Sequence, residues 1–167
     1  GDRGLANRVT SAFKKMQRAD SLGNRGKRSV EIVAQKAKLV GMSLHKNSQL
    51  QSVFTAPFTL SPNPGRNGVT LDIPVFDIVN RVHPPRGTTH FKVRLVIAAL
   101  SDHVYDRDED KYVPVDEDLN ALNNEQSSAD MDLDVPMTNA IQLVAPLPGN
   151  PTMTSTTGLV ACVGIEF

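Results

Sequence analysis

Asp106-Arg107-Asp108-Glu109-Asp110-Lys111-Tyr112-Val113-Pro114-Val115-Asp116-Glu117 is the segment whose residue types and spacing come closest to chemistry. It places Asp at positions 1, 3 and 5 and Glu at position 12, the ligand order of an EF-hand calcium loop. A hard cation needs several carboxylate oxygens converging at about 2.4 Å, and Asp106, Asp108, Asp110 and Glu117 have the spacing to supply them. Calcium is therefore the cofactor to consider. Two features count against it. Position 6, where the loop turns sharply and wants Gly, is Lys111. The flanks read as strands, not helices. An acidic β-hairpin tip, with Tyr105 and Tyr112 paired across the strands, explains the same residues and is preferred.

A second group is basic. Lys14, Lys15, Arg18, Arg25, Lys27 and Arg28 fall within fifteen positions and have the charge to neutralise phosphates. No interleaved aromatic, zinc spacing or recognition-helix motif accompanies them, and a charge run usually forms a solvated face. A protein partner or a second copy of the chain therefore outranks nucleic acid at the level of sequence.

Signatures of catalysis are missing. The chain has no Gly-x-Ser-x-Gly elbow, phosphate-cradling Gly-rich loop or His-Glu-x-x-His. His45, His83, His90 and His103 are scattered, and Cys162, the single cysteine, sits in a strand pattern with no cation beside it. A lone cysteine also excludes an internal disulfide. The expectation is a protein without catalytic residues.

The elements that position these groups follow from periodicity. Leu5, Val9, Ala12, Phe13 and Met16 form one apolar stripe at helical spacing, with Arg3, Lys14 and Arg18 opposite and Gly23 as a stop. A short helix near 27–36 and a strand through Leu39, Met42 and Leu44 are predicted next. From residue 50 the texture is β. Val53–Leu60 contains Pro57, which suits an edge strand or a bulge. Val69, Leu71 and Ile73 alternate with polar residues, as do Met131, Leu133 and Val135. Phe91–Leu100 is apolar enough for a central strand, and Ala140–Pro146 forms another. Leu159, Ala161, Val163, Ile165 and Phe167 share one face of the last strand. The predicted fold is mainly β: an antiparallel β-sandwich of seven or eight strands with one or two N-terminal helices. Residues 1–36 form a basic helical arm packed on a sandwich domain at 37–167, making a single domain overall.

The chain has 167 residues, 40% of them hydrophobic and 22% charged, which argues against wholesale disorder. No apolar run approaches the roughly 20 residues that span a bilayer. The chain opens on Gly1-Asp2-Arg3 without a Met, so the compartment stays open. Net charge is zero, but unevenly spread. Residues 1–50 carry eleven Lys/Arg against Asp2, Asp20 and Glu31, whereas residues 101–167 carry Arg107 and Lys111 against thirteen acids. Such a polarity is neutralised within one fold, or it docks copies head to tail. The preferred function is a structural or protein-interaction module that self-associates through these charge halves.

Arg25-Gly26-Lys27-Arg28-Ser29-Val30, Phe54-Thr55-Ala56-Pro57-Phe58 and Gly87-Thr88-Thr89-His90-Phe91-Lys92 resemble landmarks of an uncharacterised bacterial protein family of unknown function. The resemblance covers about residues 5–100, with a more divergent C-terminal third. It implies no catalytic or binding residues.

Overall fold

The computed structural model describes residues 3–21, 23, 27–43 and 49–167, with the side chains of residues 3–6 outside that description. Arg25, Leu44 and His45 lie outside the described residues, as does the side chain of Leu5. The fold is mainly β, with antiparallel sheets and an N-terminal helix. The chain forms two compact units. Unit 1 comprises Gly1–Lys46, Ala99–Leu122 and Met153–Leu159; unit 2 comprises Asn47–Ala98, Asn123–Thr152 and Val160–Phe167. Strands β3 (His90–Ser101) and β9 (Thr157–Glu166) contribute residues to both.

In unit 1, helix α1 (Arg3–Gln17) buries Ala12 and Met16 and half-buries Val9 and Phe13, which is the stripe expected from the spacing. It ends earlier than Gly23. Ala19 N bonds to Met16 O at 2.9 Å and Asp20 N to Gln17 O at 3.2 Å, a tightening last turn. Gly23 has a different task. The carboxylate of Asp20 accepts from Gly23 N (2.9 Å) and Ser29 N (2.8 Å), which folds the chain back tightly. A Cβ on Gly23 would lie 2.6 Å from Asp20 Oδ2 and 2.9 Å from Arg28 Cα.

The helix predicted near 27–36 does not form, because tertiary partners take its backbone groups. Val30 exchanges both hydrogen bonds with His103 (2.8 and 3.0 Å), and Val33 N donates to Asp102 Oδ1 (3.0 Å). Only a 3-10 helix, Lys36–Lys38, remains. The strand expected through Leu39 and Met42 is replaced by a turn at Gly41, whose φ is +74°. Strands β4 (His103–Asp106) and β5 (Lys111–Pro114) pair as an antiparallel hairpin.

Unit 2 holds the larger sheets. β1 (Thr59–Pro62), β2 (Gly68–Ile73) and β8 (Ile141–Pro146) are ordered β1-β2-β8, with Leu71 opposite both Leu60 and Leu143. Val69, Leu71 and Ile73 point to one face and are buried there with Leu143 and Ala145. The second sheet is built around β3. Its Arg94–Ala98 stretch pairs with β6 (Asn123–Ser127), its first residues pair with the two-residue β7 (Met131–Asp132), and β9 is its remaining partner. Phe91, Val93, Leu95 and Ile97 alternate into the core. The two sheets meet where Asn124 Nδ2 of β6 donates to Pro146 O of β8 (2.6 Å). Helices α2 (Leu50–Val53) and α3 (Ile78–Arg81) flank a bridge between Phe54 and Val82, and the rings of Phe54 and Phe76 meet edge to face at 5.6 Å. Nine strands stand among the described residues, against the seven or eight expected. No helix among those residues is long and apolar enough to cross a membrane.

Candidate functional site

The densest polar constellation lies in unit 1, around Asp116. Its Oδ2 accepts three hydroxyl hydrogen bonds: Thr154 Oγ1 and Thr156 Oγ1 at 2.5 Å each, and Thr157 Oγ1 at 2.7 Å. Asp116 N donates to Ser101 Oγ (2.9 Å), and that hydroxyl donates to Asp102 O (3.0 Å). Ser101 and Thr157 are fully buried. Asn120 Oδ1 takes the amide of Ser101 (3.1 Å), Thr156 O takes that of Asp102 (2.8 Å), and His103 Nδ1 lies 2.9 Å from Ser101 O. Among the described residues no buried side-chain polar atom lacks a hydrogen-bond partner, as burial requires.

The electrostatics of Asp116 follow from that geometry. The hydroxyls of Thr154, Thr156 and Thr157 hold its carboxyl below the usual aspartate range, against a weaker opposing effect of burial. A carboxylate stabilised in its ionised form is a poor base. The Ser101 hydroxyl gives its proton to a backbone carbonyl, so the pair lacks the contact of a nucleophile with its base. The cluster instead fastens the Thr154–Thr157 segment to the chain around Ser101 and Asp116. Sequence reasoning passed over it. The signal was the hydroxyl run Thr154-Ser155-Thr156-Thr157 immediately before the last apolar strand.

The acidic loop is a hairpin tip. Tyr105 pairs with Tyr112, their rings edge to face at 5.4 Å, and pairing continues to Asp106 opposite Lys111. Four residues, 107–110, make the turn. Asp106 Oδ1 accepts from Asp108 N (2.8 Å) and Glu109 N (3.3 Å); Asp110 accepts from the Tyr105 hydroxyl; Glu109 pairs with Lys111. That ion pair raises the Lys111 ammonium above its ordinary value. The residue with positive φ is Asp110 (+52°), while Lys111, at the position calcium loops give to Gly, lies in β5. Glu117 is exposed next to Asp116. Among the described residues, no group of three or more His, Cys, Asp or Glu is placed to hold a metal ion.

The basic residues divide. Lys14 and Lys15 occupy the last turn of α1 and Arg18 follows it, all exposed. Cations there complement the helix dipole. Lys27 Nζ lies 5.2 Å from the centroid of the Tyr105 ring, and Arg28 Nε donates to Gly23 O (3.3 Å). Arg25 is outside the described residues. Folding also redistributes the charge. Unit 1 combines thirteen Lys/Arg with eleven Asp/Glu, and unit 2 five with seven, so the polarity of the linear sequence becomes two nearly neutral bodies.

Elsewhere, His90 shares Nδ1 with Thr89 Oγ1 (2.8 Å), with its Nε2 3.9 Å from Asp132. Cys162 is half-buried, and burial pushes its thiol up from the ordinary value. Comparison with known proteins returned no matching family model, no matching curated protein and no matching solved structure.

Proposed function

We propose that the chain is a non-catalytic structural module that self-associates through the edge of β9. One observation carries this reading. In unit 2, Val160–Ile165 is an uncharged, largely apolar stretch whose residues are all partly exposed, and among the described residues β9 pairs with β3 alone. A long apolar edge offers backbone donors and acceptors to another strand, and chains that stay single usually blunt such an edge with charge or proline. β9 carries neither before Glu166. A strand without charge is compatible with its own copy, so the favoured partner is a second copy paired about a two-fold axis. The near-neutrality of each unit favours this contact over docking through charge halves.

Light scattering across concentration and salt tests the reading. An apolar edge contact gives a dimer mass that is retained or strengthened as salt rises, whereas a contact of opposite charges weakens. Val163→Lys puts a charge into the edge and is expected to shift the mass to the monomer, with a circular-dichroism melt showing that the fold is retained. A parent chain that is monomeric at high concentration overturns the proposal.

A further inference from the structure

The structure extends the basic surface of unit 1 beyond the residues that the sequence groups together. Lys38, on the 3-10 helix Lys36–Lys38, reaches back to α1: its Nζ donates to Lys15 O (3.4 Å) and to Gln35 Oε1. Lys14, Lys15, Arg18 and Lys38 thus belong to one exposed neighbourhood, although 20 positions separate Arg18 from Lys38 in the chain. Arg18 N bonds to Lys14 O (3.2 Å), so the helical turn continues and Lys14 and Arg18 project from one side, about 6 Å apart along the axis. Among the described residues, no carboxylate pairs with Lys14, Lys15 or Arg18. Within the same unit, Glu109 is already paired with Lys111 and Asp110 is bound by the Tyr105 hydroxyl. The cations at the end of α1 complement the helix dipole, but among the described residues no carboxylate takes them.

We propose that Lys14, Lys15, Arg18 and Lys38 form a binding face for the phosphodiester backbone of a nucleic acid. Closely spaced lysines with a guanidinium match a row of phosphates, the arginine as a two-pronged donor and the lysines as point charges. With no exposed aromatic among these residues to stack a base, the contact reads backbone and not sequence. A membrane surface fits less well. Among the described side chains of α1, the apolar stripe is buried at Ala12 and Met16 and half-buried at Val9 and Phe13, which leaves little of it to enter a bilayer. The inference is independent of the β9 contact, which is read by mass and not by ligand binding.

The test is fluorescence anisotropy of a labelled single strand of about 30 nucleotides, titrated with the full chain between about 50 and 200 mM salt. Four phosphate contacts give a log–log salt slope of about −3. The triple variant Lys14→Gln, Lys15→Gln, Arg18→Gln is expected to bind at least about tenfold more weakly with a slope near −1, since about one contact is left. The charge-preserving set Lys14→Arg, Lys15→Arg, Arg18→Lys retains binding, and so does Arg86→Gln, an exposed cation of unit 2. Failure to bind at the lowest salt overturns the proposal, as does a triple variant that binds like the parent. Displacement by polyglutamate as readily as by polyphosphate assigns the face to an acidic protein and overturns it. Capture by phosphatidylserine vesicles without oligonucleotide binding does the same in favour of a membrane.

Discussion

Thr157 Oγ1 donates to Asp116 Oδ2 at 2.7 Å from a side chain with no solvent exposure, across 41 positions of sequence. The contact joins a segment near the chain's end to the turn that follows β5.

Because the threonine hydroxyls favour the ionised carboxylate, the folded chain holds Asp116 at a lower pKa than the unfolded chain does. Its contribution to stability is therefore complete above the unfolded value of about 3.9 and is lost as pH falls through the folded one. Urea midpoints of the parent are expected to drop more steeply between about pH 5 and pH 3 than those of Asp116→Asn. Equal slopes would show that the hydroxyls do not hold the carboxylate in solution. Thr156→Val is expected to raise the titration point of Asp116, read by carbon NMR of its carboxyl.

Gly23→Ala is expected to cost about 1–3 kcal/mol, the usual range for forcing an extra carbon into a filled space. The Asp20 carboxylate can yield only by loosening its bonds to Gly23 N and Ser29 N, and the Arg28 Cα, 2.9 Å from the new carbon, is backbone. Chemical denaturation measures the loss, and an unchanged midpoint would remove the close-approach explanation.

Ala121 holds a φ of +68°, where a side chain is unfavourable, and its amide bonds to Ala99 O (2.9 Å). Ala121→Gly relieves that strain at the expense of a more flexible unfolded chain. The net effect is expected to be a gain of about 0.5–1 kcal/mol. Ala37→Gly in the 3-10 helix relieves no such strain and is expected to lose stability in the same assay.

Millimolar calcium is expected to leave the melting temperature unchanged, since the Asp106, Glu109 and Asp110 side chains are engaged within the hairpin. A rise that disappears in Asp108→Ala would return the loop to the role its spacing first suggested.

Legibility in the sequence followed the source of each element's stability. β2, β3, β8 and α1 could be read because their own apolar periodicity puts residues such as Leu71, Leu95, Leu143 and Met16 into the interior. β6 could not. Asn123-Asn124-Glu125-Gln126-Ser127 has no apolar pattern and becomes a strand because β3 offers it a ladder, with Arg94 pairing with Glu125 across it and with Glu166 of β9. Around Met131, Leu133 and Val135 the alternation was real but was interrupted after Asp132, whose Oδ1 accepts from Asp134 N (2.8 Å) and turns the chain. Val30 shows the reverse, a helical spacing overridden by a bridge to His103. The hairpin tyrosines were legible from local pairing, whereas the Asp116 cluster depends on contacts between residues far apart in the chain.

The three stretches of unit 1 make its closure a long-range event. Helix α1 lies in the first of these stretches and Met153–Leu159 is the third, so the helix and the hydroxyls that bind Asp116 share one body only after segments far apart in the sequence come together. Folding of the unit then runs through long-range pairings, which close slowly compared with local ones. A chain released before Thr154 leaves Asp116 without any of its three hydroxyl donors. Truncation ahead of Thr154 therefore removes a part of unit 1 itself, and with it what fastens Asp116.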